Sequence, residues 1–344
     1  MTTSTPGFQP GDILTRAQIH PVLGGSGFAG ICPAVEKRNV LIFSDSKIGE
    51  RYGYRDGWLA EDDDLGPVFT YTGVGKQGDQ VFRGGNAAIL NHSDEKRTLH
   101  LFTAVGKVPG TSARTHMYIG EFKVDERRQF DIRRAKDELN QDRDVIVFRL
   151  RPLGHFVRQT SDMLQPASEP RSLFNLTAGR LTRAVRRQRR QRLPQTAVER
   201  VAGVRDDLAD TFEERESAAG ATIGQMELSM RDSTSRLVFE LYNETNKTVY
   251  EPTGSAASES ITQALSQLLL ARRHLRDLNQ DQPFHLMVLT PELPRVDLRD
   301  LLAEHGIGLV YRNDSGGFSE FEGGTPVFPN APQSSRCLDC PVLV

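Results

Sequence analysis

The sequence predicts an α+β protein in which a β-rich N-terminal domain precedes a small α/β domain. Two patterns support this prediction. Short β-like runs separated by turn residues fill residues 1–160, whereas strands alternate with amphipathic helices after about residue 228. A length of 344 residues, with 38% hydrophobic and 26% charged residues, is normal for a globular chain of one large or two ordinary domains.

The first domain, residues 1–160, owes its β character to apolar runs bounded by Gly, Pro, Asn and Asp. Because such runs at short intervals favour strands over helices, we expect a compact β-rich domain with a few helices. The clearest predicted strands are Asn39–Phe43, Val68–Tyr71, Leu99–Ala104 and Val145–Leu150.

A connector is predicted over residues 161–227, where a loose Pro- and Ser-containing stretch leads into two oppositely charged segments. These segments are interpreted either as a solvated helical hairpin whose charges partly neutralise each other or as a clamp for DNA phosphates. The hairpin is favoured, because charge runs usually lie on solvated faces. The basic segment holds Arg180, Arg183, Arg186, Arg187, Arg189, Arg190 and Arg192, and the acidic segment holds Asp206, Asp207, Asp210, Glu213, Glu214 and Glu216.

The third segment, residues 228–315, predicts strand, strand, helix, strand, helix, strand. Apolar residues at helical spacing mark its long helix, and Gly306 closes its short helix. In order the predicted elements are Leu237–Leu241, Thr248–Tyr250, Ser258–Leu275, His285–Thr290, Val296–His305 and Ile307–Tyr311. Residues 316–344 are rich in Gly, Pro and Ser, so we expect an extended tail.

Composition excludes several classes of protein. The formal net charge of -2 means that any affinity for nucleic acid must come from local basic patches. No apolar run approaches the length of a membrane span, and the polar N-terminus lacks the apolar core of a signal peptide. We therefore expect a cytoplasmic protein without membrane contact, associated with the nucleoid if its source is bacterial.

Metal and nucleotide-phosphate sites are not expected either. Cys337 and Cys340 form a single CxxC pair in the tail, which is half of an ordinary zinc site, and Cys32 is the only other thiol. The Gly24–Gly27 run lacks the following Lys-Ser/Thr of a phosphate-binding loop.

The most informative segment is Gly57–Gly75. It carries the only Trp, Trp58, then the acidic run Glu61–Asp64, and then Phe-Thr-Tyr-Thr-Gly ending at Gly73. Here residues 15–155 resemble the SRA family, the SET- and RING-associated domains that read 5-methylcytosine in DNA, and Gly30-Ile31-Cys32, Asp79 and Gly85–Ile89 extend the likeness. The resemblance implies a twisted β-barrel with flanking helices, which binds double-stranded DNA and flips the modified base out of the helix.

A flipped base needs aromatic stacking partners and polar groups at its edge. By the resemblance, Tyr71 supplies one stacking surface, and Trp58 the second if one residue is inserted, although Trp58 is equally compatible with a core position. An ionised carboxylate accepts from the N4 amino group of cytosine. The implied acid is Asp62, and a slip in register would select Asp63 or Asp64.

The residues after Tyr71 would complete the pocket. The hydroxyl or backbone of Thr72 could hydrogen-bond the base, while Gly73 and Gly75 would let the backbone approach the nucleotide closely. Candidates for contacts with the DNA backbone are, by position, Lys76, Arg83, Lys107, Arg114, His116 and Lys123.

The α/β segment resembles the PD-(D/E)XK nuclease core, in which two acids hold Mg²⁺ and a lysine supports the developing charge. Glu240 and Glu251 match the acids, but Thr253 occupies the lysine position and supplies no cation. Lys247, across the turn, could replace the missing lysine, but the favoured interpretation is that it caps the hairpin in solvent. We therefore expect a degenerate nuclease fold without catalysis, and no cofactor.

Three functions remain open at this point. The favoured one is a reader that binds methylated DNA without catalysis, and a homodimer is compatible with it. The alternative is a modification-dependent restriction endonuclease, which would need Mg²⁺. The third is an RNA- or protein-binding scaffold that has lost the pocket, and it is disfavoured because Asp62, Tyr71 and Thr72 occur together.

Overall fold

The computed structural model describes residues 7–25, 27, 29–49, 52–190, 194, 196–278 and 283–321. It divides into two compact units, each with its own sheet. The first unit comprises residues 1–166 together with Ser233–Ser235, and the second comprises the rest of the chain. Among the described residues, no helix combines the length and the apolar character that crossing a membrane requires.

The first unit is built on a nine-stranded sheet with three helices. Its strands are β1 (Ile13–Thr15), β2 (Ile31–Ala34), β3 (Asn39–Ser44), β4 (Gly57–Trp58), β5 (Phe69–Thr72), β6 (Thr98–Lys107), β7 (Arg114–Val124), β8 (Phe130–Lys136) and β9 (Asp142–Phe156). Its helices are α1 (Arg16–Leu23), α2 (Ser46–Gly49) and α3 (Gly85–Leu90). The four strands predicted from apolar runs are therefore confirmed as β3, β5, β6 and β9.

The sheet of the first unit is open among the described residues, so the twisted β-barrel that the resemblance implied is not closed. The strands follow the order β2-β3-β6-β7-β9-β5-β4, and no pairing joins β2 to β4. The long strand β9 explains the departure from a simple ring. Residues 150–156 of β9 pair with β7, and residues 142–148 pair with β8. Residues 147–150 of β9 also pair with β5. This branching replaces the continuous ladder that closure requires.

The second unit has a seven-stranded sheet in the order β10-β11-β12-β13-β14-β15-β16. The strands are β10 (Arg171–Asn175), β11 (Ile223–Ser229), β12 (Arg236–Asn243), β13 (Thr248–Pro252), β14 (His285–Thr290), β15 (Gly308–Arg312) and β16 (Phe318–Phe321). The helices are α4 (Leu176–Arg190), α5 (Ala197–Ala218), α6 (Ser258–Leu275) and α7 (Val296–Glu304).

Strand β13 pairs in parallel with β14, and β14 with β15, and one helix crosses between the strands of each pair. This arrangement confirms the predicted strand, strand, helix, strand, helix, strand sequence. The apolar face of α6, which includes Ile261, Leu265 and Leu268, is buried in the main core of the unit. The periodicity that predicted the helix therefore also marked the face that packs.

Two predicted boundaries differ from the structure. The segment 161–227 is not a separate connector, because β10, α4, α5 and β11 belong to the second unit. The predicted tail begins too early, since β16 pairs with β15. Strand β16 forms here because its apolar residue Phe318 packs on Phe212, with ring centroids 5.1 Å apart. Residues 322–344, with Cys337 and Cys340, lie outside the described residues.

Candidate nucleic-acid site

The candidate site is centred on Tyr71 and Thr72, the last two residues of β5. Both side chains are buried, with 3% and 4% of their surface exposed. Strand β5 is paired on both edges, with β4 on one side and β9 on the other. Two ladders therefore fix the backbone that presents these side chains, and burial raises the pKa of the Tyr71 hydroxyl well above its usual value.

Asp56, which precedes β4, is the acidic side chain that the fold brings to Thr72. Its Oδ1 accepts a hydrogen bond from the Thr72 backbone N–H at 2.7 Å, and its Oδ2 accepts from Ser44 Oγ at 3.4 Å. The carboxyl group lies deep among protein atoms, although the residue keeps part of its surface open. This burial raises the pKa of Asp56 to about 6, despite the opposing hydrogen bonds and the charge of Arg133.

Sequence reasoning missed Asp56 because it counted back from Tyr71 into the acidic run. The structure places that run elsewhere. Asp62 is exposed and pairs with Arg158 at 2.8 Å, and Asp63 forms two bonds of 2.6 Å with Arg151. The prediction that Asp62 reads the base edge is thus not supported by its position. The physical reason is a turn in which Asp63 and Gly66 exchange backbone hydrogen bonds and direct the carboxylates towards arginines.

The other two acids of the run are also held by protein groups. Asp64 pairs with Arg127 at 2.7 Å, and both side chains are exposed. Glu61 accepts hydrogen bonds from the backbone and hydroxyl of Thr234, and these contacts hold the pKa of Glu61 down at about 2. A slip of the register to Asp63 or Asp64 therefore does not bring either carboxylate to Thr72.

Trp58 is a core residue and not a stacking surface. Its side chain is fully buried, and its ring centroid lies 5.4 Å from that of Phe69, 5.8 Å from Phe122 and 5.5 Å from Phe156. The register of β4 and β5 places Trp58 directly opposite Phe69, which explains why it joins this aromatic cluster. The predicted alternative, a core position for Trp58, is the one that the structure supports.

A second aromatic residue near Tyr71 is Tyr54. The hydroxyl of Tyr54 donates to the Gly75 carbonyl at 3.1 Å and accepts from Gln80 Nε2 at 3.2 Å and from Arg143. Tyr54, Asp56 and Tyr71 are close enough to influence one another's pKa. The spacing Tyr54-x-Asp56 is the signal that could have marked both residues, because it combines an aromatic surface with an acid.

The backbone after Thr72 is held by buried polar side chains. Gln80 Nε2 donates to the Gly73 carbonyl at 2.7 Å, and Asn86 bonds both the N–H and the carbonyl of Val74, at 2.8 and 2.9 Å. A Cβ at Gly73 would lie 2.6 Å from Asn86 Oδ1, so only glycine allows this approach. The structure therefore gives Gly73 a protein partner, where the prediction was close approach of a nucleotide.

Arg143 of β9 also bonds the backbone after Thr72, and together with Gln80 and Asn86 it forms a clamp on this loop. Its side chain is buried, and its Nη1 donates to the carbonyl of Gly75 at 2.6 Å and more weakly to that of Gly78 at 3.3 Å. Because Arg143 also bonds Tyr54, a single side chain connects the second aromatic residue to the loop that follows Tyr71.

The predicted DNA-backbone residues occupy different environments. Lys76, Arg83 and Lys107 are exposed, and Arg114 is exposed but forms an ion pair with Asp45. Lys123 pairs with Glu126 at 2.7 Å. His116 is buried, with 4% of its surface exposed, so it is less accessible than the sequence suggested.

The charged segments of α4 and α5 bind each other, as the favoured hairpin interpretation predicted. Arg186 bonds Asp210 at 2.9 Å and Glu213 at 3.1 Å, and all three side chains are buried. Arg190 bonds Asp207 and Asp210, each at 2.8 Å. Part of the hairpin is therefore not solvated, and its arginines contact carboxylates within the protein.

The two acids of the second unit that the sequence matched to nuclease positions, Glu240 and Glu251, lie beside guanidinium groups. Glu240 Oε2 accepts from Arg186 Nη1 at 3.1 Å and from Arg205 Nη1 at 3.3 Å. Burial, opposed by Arg205 and reinforced by Glu240, raises the pKa of Glu251 to about 7. Thr253 is buried, and its hydroxyl donates to the Ser255 carbonyl at 2.9 Å.

No metal site is evident in the described part of the chain, where no three His, Cys, Asp or Glu side chains are grouped to hold an ion. Lys247 pairs with Glu244 at the hairpin turn, so it caps the turn, as expected, and does not substitute for a catalytic lysine.

Comparison with known families finds a match in the N-terminal part of the chain. Residues 10–169 match the family model described as "ScoMcrA-like, SRA domain". The SRA resemblance inferred from the Gly57–Gly75 segment is therefore confirmed for this part of the chain. No curated protein sequence matches the chain.

Several solved structures are similar to part of the chain. One, of the sulfur binding domain and SRA domain of ScoMcrA complexed with phosphorothioated DNA, is 22% identical over 43% of this chain, with a TM-score of 0.32. KRYPTONITE in complex with mCHG DNA and SAH is 20% identical over 48%, with a TM-score of 0.31. The chain covers only 41% and 36% of these two proteins. A complex of the SUVH5 SRA domain with fully methylated CG DNA is 19% identical over 45% of this chain and 96% of that one, with a TM-score of 0.30.

Proposed function

We propose that the SRA domain in this chain binds double-stranded DNA containing a modified cytosine and takes the flipped base against Tyr71, without catalysis by the second unit. The observation that carries this proposal is the cluster of Tyr71, Thr72 and Asp56 within the matched residues. The cluster combines an aromatic ring with a carboxylate that retains open surface in a buried setting, which are the groups a flipped cytosine requires.

In this proposal the cytosine ring stacks on Tyr71, and Asp56 accepts from the N4 amino group. The backbone N–H of Thr72 already bonds one oxygen of Asp56, which orients the carboxylate and leaves its remaining lone pairs for the base. Tyr54 is the second aromatic residue, and Gln80 and Arg143 hold its hydroxyl. In this proposal Tyr54 is the second stacking surface, which the sequence had predicted to be Trp58. Asp56 is the acceptor for the N4 amino group, which the sequence had predicted to be Asp62.

The proposed absence of catalysis has its own support in the second unit. Arg186 and Arg205 both donate to Glu240, so a metal ion would have to compete with two guanidinium groups for that carboxylate. Metal-assisted hydrolysis requires free carboxylate ligands and a positive charge at the scissile phosphate. Thr253 supplies no such charge.

A competition binding assay tests the reader function. A labelled duplex containing one 5-methylcytosine is displaced by methylated or unmethylated competitor at fixed salt, because affinity for DNA depends on salt. We expect the methylated competitor to displace the label better. Tyr71→Ala should remove a stacking surface worth about 1–3 kcal/mol and abolish the preference, while weak binding to any DNA survives.

The matched control is Phe82→Ala, which removes an aromatic ring outside the cluster, packed on Phe130 at 4.9 Å. That variant should keep the preference. Equal displacement by both competitors with the wild-type protein would refute the proposed function, and an unchanged preference in folded Tyr71→Ala would exclude Tyr71 from the pocket.

A further inference from the structure

Arg16, the first residue of α1, is a half-buried cation that has no role in the proposed base-binding site. Its Nη1 donates to the carbonyls of Gly27 and Ala29 at 3.0 and 2.9 Å, and its guanidinium lies 3.7 Å from the ring centroid of Phe43. No carboxylate among the described residues forms an ion pair with Arg16. Because a buried charge is costly unless it is paired, this position favours a negatively charged ligand.

Two more basic side chains converge on the same place. The antiparallel register pairs Thr15 of β1 with Thr115 of β7, so Arg16, which follows Thr15, lies near Arg114, which precedes Thr115. Two neighbouring positive charges repel each other, and an anion bound between them would relieve that repulsion. Burial, assisted by the charges of Arg16 and Arg114, lowers the pKa of His116 to about 4, so the imidazole lies near both arginines and is neutral near pH 7.

His116 has an unfilled hydrogen-bonding position. Its ring contacts Phe43 edge to face, with centroids 5.1 Å apart, and its Nδ1 is buried without a partner in the described part of the chain. A neutral imidazole protonated at Nδ1 can donate one hydrogen bond to an anion. Among the described residues, Asp45 is the carboxylate that pairs with this group, through Arg114, so Arg16, Arg114 and Asp45 together keep one excess positive charge.

The cluster adjoins the base-binding site. Arg16 and Cys32 are among the groups that influence the pKa of Tyr71. Arg16 also holds the carbonyl of Ala29, and a Cβ at the next residue, Gly30, would lie 2.9 Å from the Tyr71 hydroxyl. The guanidinium therefore stands near the hydroxyl end of the ring on which the base would stack.

We propose that Arg16, Arg114 and His116 form a subsite for a backbone phosphate that flanks the flipped nucleotide. This inference rests on the proposed reader function and adds a second contact to it. Flipping rotates a nucleotide about its own backbone, so the two flanking phosphates stay close to the extruded base. Guanidinium groups suit this ligand, because their N–H groups match two phosphate oxygens at once.

Neutral backbone analogues provide the test. Duplexes with one 5-methylcytosine carry a single methylphosphonate immediately 5′ or immediately 3′ of that nucleotide. For the wild-type full-length protein we expect one of the two substitutions to lower affinity by roughly tenfold, the scale of a charge-assisted hydrogen bond. Arg16→Gln should bind the unmodified-backbone duplex more weakly and should lose less than about twofold on the same substitution.

Arg114→Gln provides a second variant, because Arg114 is exposed and its replacement leaves the core unchanged. For both variants the slope of log affinity against log salt should fall by about one unit. Lys96→Gln is the matched control, since it removes one exposed positive charge from the turn before β6. It should respond to the methylphosphonate as the wild-type protein does.

The two proposals fail in different ways. If the wild-type protein prefers methylated DNA, but the methylphosphonates affect it and both variants equally, the phosphate subsite is wrong and the reader function stands. A wild-type protein that is insensitive to both flanking substitutions would also exclude the subsite and leave the reader function intact. If the wild-type protein shows no preference for methylated DNA, the reader function itself is wrong.

Discussion

Asp56 and Asp62 are both aspartates that precede Tyr71, but their surroundings differ. Asp56 bonds the backbone of Thr72 and lies among buried groups, whereas Asp62 is exposed and bonds the partly buried Arg158. A carboxylate shielded from water interacts more strongly with a ligand than one that is screened by solvent. At the residue scale, then, burial distinguishes the candidate base reader from its neighbours in the acidic run.

Asp56→Asn should weaken discrimination between cytosine and a wrong base in the flipped position by about 1–3 kcal/mol. The amide keeps the size of the side chain but replaces one acceptor oxygen with a donor. Asp62→Asn is the matched control and should have little effect, since its ion pair with Arg158 is partly exposed. Binding to duplexes with a single altered base measures both, and the reverse result would restore Asp62 as the reader.

The pH dependence of binding offers an independent check on Asp56. Its raised pKa of about 6 means that free protein holds the carboxyl group largely protonated below that pH and ionised above it. Only the ionised form offers all its oxygens to the N4 amino group. Affinity for the methylated duplex should thus be constant above about pH 7 and should fall as the pH drops through 6 towards about 5.

The control for this titration is Asp56→Asn, whose methyl-dependent binding should be weaker and nearly independent of pH over the same range. A wild-type titration that persists unchanged in Asp56→Asn would assign the dependence to another group. Fluorescence anisotropy at constant ionic strength separates these outcomes.

At the scale of elements, the site depends on a loop, residues 73–79, that has no regular structure of its own. Asn86 from α3, Arg143 from β9 and Gln80 hold it through backbone hydrogen bonds. Such contacts satisfy backbone groups that would otherwise be buried without partners. The clamp therefore gives the loop after Tyr71 a defined path without a strand partner.

Arg143→Met should lower the free energy of unfolding, because the carbonyl of Gly75 and the hydroxyl of Tyr54 each lose one charge-assisted hydrogen bond while keeping another partner. A loss of about 1.5–3 kcal/mol, the usual scale of a hydrogen bond to a charged group, is expected. Arg127→Met is the control, since its ion pair with Asp64 is exposed and screened by solvent, so that its loss should change stability little. Urea unfolding measures both variants, and equal losses would show that the clamp does not stabilise the unit.

At the scale of the whole molecule, the second unit has strands and helices in the predicted order, and arginines lie beside Glu240 and Glu251. Arg205 lies within the field of both Glu240 and Glu251, and Arg186 is nearly inaccessible to solvent. Partners of this kind balance buried carboxylates that would otherwise be costly to desolvate. The arrangement fits a structural role for α4 and α5 better than a role at a scissile phosphate.

We expect no cleavage of methylated plasmid by the full-length protein with Mg²⁺ or Mn²⁺. The loss of one preorganised cation commonly costs about 100- to 1,000-fold in rate, and Thr253 supplies none. Agarose gels after prolonged incubation at excess protein provide the measurement. Metal-dependent cutting that Glu251→Ala abolishes would establish the endonuclease instead, whereas cutting that survives Glu251→Ala would come from a different site or from a contaminant.

By itself, the sequence determined the order of strands and helices from β12 to β15 in the second unit and the SRA resemblance of the first unit. Period and apolar spacing are local properties, and for α6 and β14 they predicted both ends correctly. The Phe69–Gly73 motif likewise indicated the SRA resemblance, which the family model matches over residues 10–169, and the segment that contains Tyr71.

Only the tertiary structure decided which acid lies beside Thr72 and whether Trp58 is free to stack. Asp56 reaches Thr72 across 16 positions, and Arg143 reaches Gly75 across 68, so neither contact follows from local spacing. Trp58 lies in the core because the β4–β5 register places it opposite Phe69. These outcomes depend on strand pairing and on the path of loops, and both arise from packing energies summed over residues that are distant in the sequence.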